Sequence, residues 1–111
     1  MSKKEVLAAF ETVITDPGSI KSGEYLEDHI LSYAKKFLDI DRLGLIGALC
    51  EWIYFRSEPR TMLAVRVAKE LGLREVSQVI EVLRREVAAG KVFPSFYLRD
   101  IDDALSSLTP P

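Results

Sequence analysis

The stretch Pro59–Gly90, PRTMLAVRVAKELGLREVSQVIEVLRREVAAG, predicts two amphipathic helices joined by a tight turn at Gly72. Pro59 suits the first turn of a helix because its missing N–H would be unpaired there, and Ser57 is a candidate cap. Glycine readily takes the left-handed conformation that ends helices, so we expect Gly72 and Gly90 to end the two helices. The apolar residues recur at helical spacing: Met62, Val65, Ala68 and Leu71, then Val76, Val79, Ile80, Leu83 and Val87.

Two further helices are predicted before this pair, at the N-terminal end of the chain. Ser2-Lys3-Lys4-Glu5 matches a capping box, which starts helix one at once. Asp16-Pro17-Gly18 is typical of a helix end. Helix two is expected from Glu24 to Leu38, with an inner face formed by Leu26, Ile30, Tyr33 and Phe37.

Helix three, predicted from Arg42 to Phe55, has apolar residues around most of its circumference. Such a helix is expected to be central and buried, and Asp39 or Asp41 can cap it. Gly44 and Gly47 cost helix propensity, so we expect them to admit a closely packed neighbouring helix. A last helix is predicted to follow a cap at Ser95, with Tyr97, Ile101, Leu105 and Leu108 inward.

Composition points to one soluble helical domain covering residues 1–111. The only β-like run, Val92–Leu98, is interrupted by Pro94. Net charge is −2, which does not favour nucleic acid as a partner. No apolar run approaches bilayer-spanning length, and Glu5 and Glu11 break any signal-peptide core. A single cysteine, Cys50, is typical of a reducing compartment, so we expect a cytoplasmic protein without a membrane partner.

Helix starts near Lys3, Asp41 and Glu75 give a period of about 34–38 residues, within the range of helical solenoids. From Ser57 to Leu108 the chain resembles a HEAT or armadillo-like repeat, although its turn lacks the usual aspartate. The residues that carry the resemblance are Arg60, Ala64, Ala68, Leu71-Gly72, Val79 and Leu83. The resemblance implies an all-α fold of about six helices in three antiparallel pairs, forming a short superhelix. It also implies a non-enzymatic protein-binding scaffold.

A winged helix-turn-helix is the alternative, because Thr61–Val92 also looks like one. In that case Val67–Leu73 would hold the second helix and turn, and Gly90-Lys91-Val92 would lead into the wing. The candidate recognition helix mixes Glu75, Glu81 and Glu86 with its arginines, which is not the basic footprint of a DNA-binding surface. A DNA-binding regulator therefore remains the second functional hypothesis.

No constellation of residues predicts catalysis, a cofactor or a metal. His29 is the only histidine, so no second histidine can share a metal with it. Cys50 lies in the most apolar helix, where no cation activates its thiol. We therefore expect neither an enzyme nor a cofactor, and interpret His29 as a boundary residue and Cys50 as a small core residue.

Acidic side chains are the candidate partner-binding residues: Glu27 and Asp28 on helix two, and Asp102 and Asp103 on the last helix. Such patches would favour a basic partner protein. Phe93, Phe96 and Tyr97 are a second candidate surface, although plugging the end of the helical stack is the simpler interpretation. The function predicted from the sequence is a small binding protein of the immunity or inhibitor type.

Overall fold

A computed structural model of the protein describes residues 2–15 and 23–109, and the side chains of 23–25 are excluded. Within these ranges the chain forms six α-helices and no strand, which confirms the all-α prediction. The predicted stop at Asp16–Gly18 lies outside the described residues. The helices are α1 (Lys3–Thr15), α2 (Gly23–Ile40), α3 (Arg42–Tyr54), α4 (Glu58–Leu71), α5 (Ser77–Ala88) and α6 (Leu98–Leu108), and 3₁₀ turns at Arg74–Val76 and Ser95–Tyr97 precede α5 and α6.

Two of the predicted caps hold a helix start. The backbone N–H of Glu5 donates to Ser2 Oγ at 3.4 Å. Asp41, rather than Asp39, caps α3, because its Oδ1 accepts from the Gly44 N–H at 3.0 Å. Ser57 occupies the predicted N-cap position of α4, but its hydroxyl accepts from the Arg60 side chain at 3.4 Å and makes no capping bond to a backbone N–H. The cap predicted at Ser95 is wrong, because a 3₁₀ turn leads into α6 instead.

Both predicted glycine stops are confirmed. Gly72 and Gly90 have φ of 64° and 74°, the left-handed conformation in which a Cβ would be strained. After α5, the N–H of Lys91 donates to the Glu86 carbonyl at 2.9 Å and that of Gly90 to Val87 at 3.1 Å. These two bonds satisfy helix-end carbonyls that would otherwise be unpaired.

By packing, the chain divides into a first unit, Met1–Ala48, and a second unit, Leu49–Pro111, with the boundary inside α3. In the first unit α1 packs on α2, and the ring centroids of Phe10 and Phe37 are 5.9 Å apart. The single-domain organisation stays a prediction. The buried apolar residues of this unit are Val6, Phe10, Val13, Ile30, Ala34, Phe37, Leu45 and Ala48.

The glycines of α3 admit Lys3 at the start of α1, as expected. A Cβ on Gly44 would lie 3.2 Å from the Lys3 backbone nitrogen and 2.6 Å from Asp41 Oδ2. A Cβ on Gly47 would lie 3.0 Å from Lys3 Cδ. Because real side chains seldom approach this closely, Gly44 and Gly47 permit the approach of α1 to α3 in the first unit.

In the second unit α6 packs against both α4 and α5. Trp52 is 1% exposed, and its carbonyl accepts a hydrogen bond from the buried hydroxyl of Thr61 at 2.9 Å. The HEAT-like arrangement in three antiparallel pairs stays a prediction. The buried apolar residues here are Leu49, Trp52, Ile53, Ala64, Val65, Val67, Ala68, Leu73, Val76, Ile80, Leu83, Val87, Ile101, Ala104 and Leu108.

The expectation that helix three is buried all round is wrong. Leu43 is 80% exposed and Tyr54 64%, and Phe55, which lies beyond the end of α3, is 65% exposed. Tyr33 of α2, which was predicted to face inward, is also exposed to solvent. Because apolar residues are also common at protein surfaces, the apolar composition of α3 does not show which of its faces is buried.

Candidate functional site

The two acidic residues predicted on α2 differ in environment. Asp28 is exposed, whereas Glu27 is half-buried. Asp28 contributes to a depression of about 370 Å³, all of whose described lining residues belong to α2. The ammonium of Lys36 lies 5.8 Å from the centroid of the Tyr33 ring, also in this depression. The lining residues are Asp28, His29, Ser32, Tyr33 and Lys36.

The two acidic residues predicted on α6, Asp102 and Asp103, differ in their contacts. Asp102 accepts a hydrogen bond from Arg84 Nε of α5, and this contact raises the pKa of the arginine. Asp103 is exposed to solvent. Asp102 therefore links α6 to α5, and Asp103 is the more accessible of the two carboxylates.

Cys50 and the possible metal ligands are the residues considered for chemistry. Cys50 is half-buried, and burial raises the pKa of its thiol, which disfavours the nucleophilic thiolate. In residues 2–15 and 23–109 no three His, Cys, Asp or Glu side chains are grouped so as to hold a metal ion. None of the helices in these ranges combines the length and apolar character needed to cross a membrane.

Two turns of the second unit share an uncommon backbone conformation. Arg56, between α3 and α4, and Phe93, between α5 and α6, both have φ of 54°. They are the only non-glycine residues with positive φ in the described part of the chain. For a bulky side chain this conformation is strained, and such strain persists where the surrounding structure enforces it, often at functional positions.

Hydrogen bonds between side chains hold these turns in place. Arg56 binds Glu86 of α5 through two contacts, Nε to Oε1 at 3.0 Å and Nη2 to Oε2 at 2.9 Å. The hydroxyl of Tyr97 donates to Glu58 Oε1 at the start of α4. The segment 54–58 and the segment 93–97 are therefore neighbours, and together they form what we call the aromatic turn surface.

Three large side chains of the aromatic turn surface are mostly in solvent. Tyr54 is 64% exposed, Phe55 65% and Phe96 67%. Phe93 and Tyr97 are half-buried, and the Tyr97 ring contacts Phe96 and Phe93 with centroid distances of 4.4 Å and 6.1 Å. The prediction that Phe96 plugs the end of a helical stack is wrong, because its ring projects from the surface.

Electrostatics differ between the two ends of this surface. The hydrogen bond from Arg56 holds the pKa of Glu86 below its ordinary value, and Lys91 acts in the same direction. The hydrogen bond to Glu58 raises the pKa of Tyr97 to about 12, with a further contribution from the charge of Asp100. Positive charge therefore collects beside Glu86, and negative charge beside Tyr97.

Sequence reasoning noticed Phe93, Phe96 and Tyr97 but missed Tyr54 and Phe55, which were assigned to a buried helix. A local signal for Phe55 was present, since Arg56-Ser57-Glu58-Pro59 marks the end of one helix and the start of the next. Comparison of the chain with protein-family models, with curated proteins and with solved structures gives no significant match.

Proposed function

We propose that this chain is a small, non-catalytic protein-binding domain that contacts its partner through the aromatic turn surface. The observation that carries the proposal is Phe96, which is 67% exposed on a turn fixed by the bond between its neighbour Tyr97 and Glu58. Aromatic side chains, phenylalanine among them, are enriched in protein interfaces, and a few such anchors carry most of the binding energy. They also lose little conformational entropy on binding, because the turn already holds them.

The acidic pairs support this function less well than the aromatic turn surface does. Asp102 already binds Arg84, so a partner's cation would have to compete with it. Glu27 and Asp28 stay a predicted docking pair for a basic partner, and exposed charges of that kind mainly change association rate. An immunity or inhibitor role in the cytoplasm fits the small size and acidic net charge, and it is part of the proposal.

The test is capture of a partner from the native source by tagged wild-type chain, followed by the same capture with variants. We expect Phe96→Ser to weaken the interaction at least tenfold, which corresponds to about 1.4 kcal/mol. Val82→Ser is the matched control, because Val82 is 41% exposed but lies in the middle of α5. If the partner is lost instead on reversal of Glu27 and Asp28 to lysine, with Phe96→Ser unaffected, the acidic face of α2 is the binding surface.

The winged-helix alternative requires a β-hairpin wing after its recognition helix. Residues 90–97 form turns and a 3₁₀ helix, with no strand in this described segment. This segment therefore lacks the strands that such a wing needs. A gel shift with duplex DNA at physiological salt, weakened by Arg84→Ala, would support the alternative and contradict the proposal.

A further inference from the structure

The charges at the aromatic turn surface are arranged in two halves. In the first half, Glu86 binds the guanidinium of Arg56 at 2.9 Å and 3.0 Å. Its backbone carbonyl accepts from the N–H of Lys91 at 2.9 Å, and the charge of Lys91 also lowers the pKa of the Glu86 carboxyl. Two cations and one carboxylate leave this half positive.

The second half has the opposite charge. Glu58 accepts the hydrogen bond from the neutral hydroxyl of Tyr97. Asp100 follows Tyr97 by three residues, in the first turn of α6, and is exposed. Residues three apart on a helical turn are neighbours, so Glu58 and Asp100 place two carboxylates around one uncharged hydroxyl.

An exposed ring accompanies each half. Phe55 directly precedes Arg56 in the positive half, and Phe96 directly precedes Tyr97 in the negative half. Their exposed fractions, 65% and 67%, are nearly equal. A surface that carries both charges and both rings can match a copy of itself when the copy is rotated by half a turn, since a two-fold interface places each half opposite the other.

From this arrangement we infer that a second copy of the chain docks on the aromatic turn surface, with the Arg56 and Lys91 half of each copy facing the Glu58 and Asp100 half of the other. The inference rests on the proposed function, because it names the occupant of the same surface. Three exposed aromatic side chains supply roughly 400 Å² per copy, given about 150–250 Å² for a whole buried ring. A standard interface uses about 800 Å² per partner, so the dimer is weak, with a Kd in the micromolar range or above.

The experiment is sedimentation velocity of the full chain from micromolar to millimolar concentration, at low and high salt. We expect a concentration-dependent dimer that weakens with salt, because exposed charges are screened. Phe96→Ser should raise the Kd at least tenfold, and Val82→Ser should leave it unchanged. Circular dichroism of each variant separates loss of association from loss of fold.

Charge reversal distinguishes a second copy from any other occupant. Lys91→Glu alone and Asp100→Lys alone should each weaken the dimer, because each brings like charges together across the interface. The double variant should recover association, since the reversed charges again face each other. Glu81→Lys is the matched control, as an exposed carboxylate on α5 that belongs to neither half.

Four results would overturn the inference. A chain that stays monomeric at every concentration excludes the second copy, while the capture of another protein still tests the proposed function. A dimer that is insensitive to Phe96→Ser shows that a different surface is used, and a double charge variant without recovery shows that the two halves do not meet. If the chain does not dimerise but co-sediments with anionic lipid vesicles, the occupant is a membrane surface, and the inference of a second copy is rejected.

Discussion

The hydroxyl of Thr61 donates a hydrogen bond to the backbone carbonyl of Trp52, at 2.9 Å, inside the second unit. This carbonyl lies in the last turn of α3, where helix carbonyls lose their regular donors. The N–H four residues on, that of Arg56, donates to Ile53 instead. Thr61 is the one buried polar side chain in the described part of the chain. Its hydroxyl therefore supplies the hydrogen-bond donor that the Trp52 carbonyl lacks at the end of α3.

We predict that Thr61→Val destabilises the protein by about 1–3 kcal/mol, the cost of leaving a buried acceptor unpaired. Valine keeps the shape of threonine, so the loss is attributable to the hydroxyl. Chemical denaturation followed by circular dichroism measures the change in the free energy of unfolding. A neutral or more stable variant would show that water or another donor reaches the Trp52 carbonyl.

Truncation of Trp52 should be among the most damaging substitutions, because the ring is 1% exposed. We expect Trp52→Ala to cost about 3–5 kcal/mol. Tyr54→Ala, two residues along the same helix, should change stability by no more than about 0.5 kcal/mol, since its side chain is 64% exposed. As the only tryptophan, Trp52 should also emit at short wavelength, and emission typical of water exposure would contradict its burial.

The two glycines of α3 should respond differently to alanine. Gly44→Ala pushes the Asp41 carboxylate from its cap and crowds the Lys3 backbone, so we expect a loss greater than about 1 kcal/mol. Gly47→Ala meets only the flexible side chain of Lys3 and gains helix propensity, by up to about 1 kcal/mol. Thermal unfolding of both variants measures the change in stability that each one causes. Equal changes for Gly44→Ala and Gly47→Ala would show that loss of the Asp41 cap is not responsible.

Ionisation of Tyr97 should be delayed by its bond to Glu58. Since its folded-state pKa is about 12 and the ordinary value is 10, the bond stabilises the fold below pH 10, and this contribution is lost as pH rises through 12. Ultraviolet titration should show a late component that Tyr97→Phe removes and Glu58→Gln shifts to lower pH. Tyr54→Phe is the control, and a late component that survives Tyr97→Phe would assign it to another tyrosine.

Several helix starts and ends could be predicted, because local chemistry determines them. Ser2 with Glu5, Asp41, Gly72 and Gly90 each act within about five residues of their own position. Exposure along α3 could not be predicted, because it depends on which face a neighbouring helix covers. Leu43 and Leu49 have the same side chain on the same helix, yet one is 80% exposed and the other is buried.

The candidate site was harder to predict than the fold, because its contacts connect distant parts of the sequence. Tyr97 and Glu58 are 39 residues apart, and Arg84 and Asp102 are 18 apart. No periodic pattern relates such pairs. The left-handed backbone at Phe93 was also unpredictable, since a large aromatic residue rarely adopts it.

The strain at Arg56 and Phe93 has a consequence for directed evolution of this chain. A non-glycine residue in the left-handed conformation costs about 1–2 kcal/mol, so a screen for heat resistance alone should enrich glycine or asparagine at position 93. Such clones would relieve the backbone strain but would lose the contact between the Phe93 and Tyr97 rings. A second screen for association should enrich phenylalanine again, and opposite enrichment at this one codon would separate selection for stability from selection for binding.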